Sequence, residues 1–195
     1  MTQKTTETPY SVVDINTFNE KLMKVSDKYD GAFGERYMIL YGKKSDRLII
    51  ETPELFIPFG IDRVKKDPMN QDIVNNFIRC EMKNIIRDER LIEFYKIVKY
   101  IEYISHEKVK KDYKDVKLFT YIKEPEDLKY PPSIKVKLPF SHNRYDVEFY
   151  DGDDRTTSSS LMKDSIVRLS LTPKEVWTNK EYCGVYWVTK KVVII

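Results

Sequence analysis

The sequence predicts a mainly β fold, an antiparallel barrel or sandwich with a helix inserted in it, and three patterns carry that prediction. Apolar and polar residues alternate in several stretches after residue 36, the period-2 signature of half-buried strands. Between about residues 87 and 108 the period lengthens to that of an amphipathic helix. Turn residues separate the strands at short intervals, which links most sequential strands as hairpins. A chain of 195 residues is long enough for one well-buried core, so residues 1–195 are expected to form a single domain.

Taken in order, residues 1–13 begin polar and Thr-rich and are expected to be flexible. Ile15, Phe18, Leu22 and Val25 are spaced as on one face of a helix, with Asp14 as N-cap, which predicts a short N-terminal helix over residues 14–29. Residues 36–41 and 47–51 form a first hairpin across 42–46. In ETPELFIPFGI, Pro53 and Pro58 bracket a short apolar run, so this segment reads as an edge strand or a shaped loop. Residues 76–84 make a strand with Ile78, Cys80 and Met82 on one side and Phe77, Arg79, Glu81 and Lys83 on the other.

The central helix lies in an insertion over residues 86–112. Leu91, Phe94, Val98, Ile101 and Ile104 or Ser105 form its apolar stripe, with Glu93, Lys96 and Glu102 opposite. Residues 117–123 read as a strand and EPEDLKYPP as a linker. Residues 133–138 point Ile134, Val136 and Leu138 inward and Lys135 and Lys137 outward, and residues 145–150 are expected to pair with them across 139–144. DGDDRTTSSS is a polar turn region. Residues 165–172 alternate Val167, Leu169 and Leu171 against Ile166, Arg168 and Ser170. Residues 173–180 interrupt that strand, and residues 182–195 close the fold with β-branched and aromatic residues.

The net charge of +3 is too small to point to nucleic acid by itself, so the case rests on where the cations lie. No apolar run approaches the roughly 20 residues of a spanning helix, so no membrane association is expected. MTQKTTETPY lacks the apolar core of a signal peptide, and Cys80 and Cys183 lack metal or redox spacing, which predicts two free thiols in a reducing compartment. His106 and His142 lack ligand spacing, DGDD lacks the alternating ligands of a calcium loop, and no phosphate loop or nucleophile elbow occurs. Neither metal, cofactor nor enzymatic activity is expected.

TPELFIPFGI, the inserted helix, PPSIKVKLP and the ending SIVRLSLTPKEVWTNKEYCGVYWVTKKVVI resemble the OB-fold single-stranded DNA-binding proteins of nucleocytoplasmic large DNA viruses. More distantly they resemble the replicative single-stranded DNA-binding proteins of tailed phages. The resemblance covers most of the chain from about Arg36 onward. It implies an OB-like Greek-key barrel that coats single strands in viral DNA replication, recombination or repair, without hydrolysis or cofactor. It further implies single-stranded DNA as the partner, with RNA as the alternative strand, besides replication proteins and further copies of the chain. The implied locations are the viral factory in the host cytoplasm, the nucleus, or the virion.

By the same resemblance the contact residues are Lys135 and Lys137 in IKVKL, Arg168 in IVRLS, Trp177 in EVW, and Tyr186, Trp187 and Lys190 in GVYWVTK. Cations along a groove release counterions from the backbone, and flat rings stack unpaired bases. Tyr186 and Trp187 are adjacent in a strand and so point to opposite faces. The chain ends in VVII where the phage proteins carry an acidic tail, so recruitment of partners through a tail is not carried over. The competing expectation is a structural or interaction protein, such as a minor virion component, in which the same rings bury against a partner.

Overall fold

The computed structural model describes residues 9–32, 34–65, 74–126 and 130–195. The N-terminal third forms strands β1 (Tyr10–Asp14), β2 (Met23–Val25), β3 (Tyr29–Gly31), β4 (Gly34–Tyr41) and β5 (Asp46–Glu51). Strands β6 (Leu55–Ile57), β7 (Ile61–Lys65) and β8 (Val74–Glu81) precede helix α1 (Glu89–Lys110). After the helix come β9 (Lys117–Leu118), β10 (Ile122–Lys123), β11 (Ser133–Leu138), β12 (Phe140–Ser141) and β13 (Arg144–Tyr145). Strands β14 (Glu148–Asp151) and β15 (Asp154–Thr156) lead to the two longest, β16 (Ser165–Thr178) and β17 (Tyr182–Ile194).

Five of these strands close on themselves. β6 pairs antiparallel with β8, β8 antiparallel with β11, β11 parallel with β17, β17 antiparallel with β16, and β16 antiparallel back to β6. The inward residues that alternation selects, among them Leu55, Ile78, Val136, Leu169 and Trp187, fill this closed five-strand barrel. Burying each of them is worth roughly 1.5–3 kcal/mol. β4 and β5 extend the sheet from β16, β1 lies parallel to β5, and β14 with β15 flanks β17. Among the described residues, no helix is long and apolar enough to cross a membrane.

Helix α1 keeps its predicted stripe: Leu91, Phe94, Val98, Ile101 and Ser105 are buried, and the helix packs mainly on β17. Asp88 caps it, its Oδ1 accepting from the amides of Arg90 and Leu91. The buried face is wider than the stripe. Ile97 and Glu102 are also inside, so Glu102 does not stand opposite as its charge suggests.

Several local expectations are corrected. The N-terminal helix is absent. Asp14 caps a 3₁₀ turn over Ile15–Thr17, a second turn covers Glu20–Leu22, and β2 follows. Asp14 and Asn19 bond the amides two residues on, an arrangement that competes with a continuous helix. The spacing still marked the packing residues, since Ile15 is buried and Phe18, Leu22 and Val25 pack on the core. Of residues 1–13, 1–8 lie outside the described residues, whereas residues 10–13 are held in β1. The prolines confine β6 to three residues, but it lies between β16 and β8 and is not an edge.

Pro173 does not interrupt the last hairpin. β16 runs through it, and the register shift between Pro173 and Glu175 absorbs the missing N–H. Residues 145–150 do not pair with β11. His142 and Asn143, at φ 50° and 58°, close a tight β12–β13 hairpin, and β14 joins β15 and β17 instead. The strand expected at 117–123 splits in two. β9 pairs with the start of β17 and β10 with the start of β11, filling the fork where those two barrel strands diverge.

Candidate nucleic-acid interface

β8 and β11 lie in a register that puts Phe77 opposite Lys137 and Arg79 opposite Lys135. Ile78 and Cys80 of β8, and Ile134 and Val136 of β11, point into the barrel, so the residues between them share one outer face. There Lys135 Nζ lies 4.4 Å from the centre of the Phe77 ring and 3.9 Å from the Asp62 carboxylate on β7. The Arg79 guanidinium lies 5.9 Å from the centre of the Phe59 ring. Phe59 is 67% exposed and is presented by a turn whose next residue, Gly60, sits at φ 68°.

Two shallow depressions of about 360 and 340 Å³ share Phe77, Arg79 and Lys135. One reaches Phe59 and Arg63, and the other reaches Phe119, Tyr121 and Lys123. Among the described residues that line them, the cations Arg63, Arg79, Lys123 and Lys135 face a lone carboxylate, Asp62. This trough is therefore locally positive on a chain of small net charge. Rings alternate with cations along it. That is the combination needed to stack bases while neutralising phosphates.

Phe119, 48% exposed, belongs to a segment that lies across β17. Its ring is 5.3 Å from Tyr121 and 5.9 Å from Trp177, and Trp177 is 6.2 Å from Tyr186. Gly184 makes room for this crossing, because a Cβ there would come within 2.8 Å of the Phe119 carbonyl oxygen. Glu102 anchors the segment from the helix side, accepting from Thr120 Oγ1 at 2.5 Å and from the Tyr121 amide at 3.0 Å. Burial holds the Glu102 carboxyl above its ordinary range and pushes the Tyr121 phenol up to about 12.

The residues named from the sequence separate into groups. Lys135 and Lys137 stand on the β8–β11 face beside Phe77. Trp177 and Tyr186 are half-buried behind Phe119, with Arg36 5.9 Å from the Tyr186 ring. Trp187 is a correction: at 1% exposed it fills the barrel core, on the opposite face of β17 from Tyr186, and no base reaches it. Arg168 lies on neither depression and pairs with Glu54 at 2.7 Å. Lys190 lines a separate hollow with Arg144, Arg155 and Lys191, where Glu51, Asp146 and Glu148 offset the charge.

Phe59, Arg63, Phe77, Arg79, Phe119 and Lys123 were not singled out from the sequence. A signal existed for two of them, since an aromatic and an arginine on the solvent side of residues 76–84 pair a stacking surface with a cation. No protein-family model matches the chain, and no curated protein matches it.

Proposed function

We propose that the chain binds single-stranded nucleic acid with little sequence preference, across the outer face of β8 and β11. The observation that carries this reading is the union of Phe77, Arg79, Lys135 and exposed Phe59 on one surface with little negative charge. The barrel's order supports an OB-like description. β8 and β11 are its second and third strands, the face by which OB-folds take oligonucleotides. After three antiparallel neighbours β16 returns beside the first of them, the Greek-key order. On the resemblance alone, we carry over DNA as the strand, with RNA as the alternative, and a role in viral DNA replication, recombination or repair. Binding by stacking and charge neutralisation requires neither a cofactor nor a catalytic step.

The test is a titration of labelled oligo-dT at several salt concentrations. Three or four phosphate contacts give a slope of log affinity against log salt of about −2 to −3. Phe77→Ala is expected to weaken binding by about tenfold, within the roughly 1–3 kcal/mol of one stacked base. No binding at low salt would leave this face as a docking surface of a structural or interaction protein.

A further inference from the structure

At the end of the barrel, beyond Arg63, the trough adjoins a cavity of about 590 Å³ between the start of β8 and the β12–β13 hairpin. Its size is that of a small-molecule site. The tight turn at His142 and Asn143 brings Arg144 and Tyr145 back beside Ser141 and Phe140, and the Phe140 and Tyr145 rings meet edge to face at 5.0 Å. Asn76, on the inward side of β8, forms part of the wall. It is 1% exposed, and its carbonyl Oδ1 is buried without a hydrogen-bond partner. A buried acceptor left unpaired is costly and calls for a partner. Among the described residues, no carboxylate lines the cavity, whereas Arg63 and Arg144 do.

These features select a ligand that is flat, apolar on its faces, bears an N–H on its edge and carries negative charge nearby. A nucleobase on its phosphate has all four. We propose that this cavity receives one unstacked base of the bound strand and reads its exocyclic amino group through Asn76 Oδ1, a turn of that side chain bringing the buried oxygen to the cavity surface. The inference rests on the strand-binding reading above and adds a preference at one position. Adenine, cytosine and guanine offer the amino group, whereas thymine and uracil flank their single edge N–H with carbonyl oxygens that face Oδ1 unfavourably.

The experiment compares oligo-dT with the same oligomer carrying a single dC or dA at successive positions. One position is expected to gain about three- to tenfold in affinity, the worth of one added hydrogen bond. Asn76→Leu is expected to abolish that gain, so that substituted and unsubstituted oligomers bind alike. Should the buried substitution unfold the chain, Tyr145→Ala, outside the five barrel strands, removes a ring of the pocket and is expected to erase the difference between substituted and unsubstituted oligomers. Phe77→Ala is expected to lower both oligomers alike. Equal affinity for substituted and unsubstituted oligomers, with oligo-dT still bound, overturns the base pocket and leaves the strand-binding face standing. Absence of all binding overturns both.

Discussion

Glu102 is 1% exposed, and burial disfavours its charged form more than the bonds from Thr120 and the Tyr121 amide favour it. Its folded pKa therefore stands above the ordinary 4.5. A carboxyl raised in this way contributes stability that is full below the unfolded pKa and is lost as pH rises through the folded value. Glu35 and Glu124, held low chiefly by hydrogen bonds from Tyr113 and Tyr95, act with the opposite sign on the acid side. Glu102→Gln keeps an acceptor for the Tyr121 amide and cannot ionise. Its urea midpoint is expected to stay level over the range above pH 4.5 where the parent declines, and parallel declines would place the slope elsewhere. At this scale alternation was a sound guide to orientation. It set Lys135 and Phe77 outward correctly, but it could not choose between Tyr186 and Trp187, because barrel closure decides which side is inside. Glu102 misled because its charge outweighed its position beside Val98 and Ile101 on the helix.

At the level of elements, the segment carrying Phe119 holds its place because β17 offers a glycine beneath it. A methyl group at residue 184 would meet the Phe119 carbonyl oxygen at 2.8 Å and the Trp177 ring at 3.1 Å. Gly184→Ala is expected to cost about 1–3 kcal/mol and to lift this crossing away from the trough. Denaturant unfolding measures the first effect and oligo-dT affinity the second. An unchanged midpoint would mean that the segment does not rest on β17. Helix α1 was legible because one period persists through its 22 residues and a cap precedes it. The N-terminal turns imitate that period over too few residues, and local Asp and Asn bonds end each turn. Pro173 looked like a stop, yet a bulge at the same place lets a strand continue through it. The partner of β14 was illegible for another reason: it depends on a tight hairpin formed by His and Asn, a weaker signal than the Asn-Gly such turns prefer.

For the molecule as a whole, a mainly β barrel with one inserted helix could be foreseen, whereas the interface could not. Its halves lie on strands separated in sequence by the whole of α1, and only the β8–β11 register makes them neighbours. The ring itself is fastened unevenly. β16 and β17 are joined by a ladder running from Val167 to Thr178, while between β11 and β17 Lys137 and Val188 are the sole registered pair among the described residues. A second join, between β6 and β8, is likewise held by one registered pair among those residues, Phe56 opposite Glu81. The cylinder thus has two seams of one stitch each, and amide hydrogen exchange is expected to start along those margins well before it reaches the long ladder. Uniform protection around the ring would refute this. Lys135 and Lys137 border the β11–β17 seam, so a strand laid over them would brace one of the two thin joins in the wall, and occupancy of the outside would be readable as slowed breathing within.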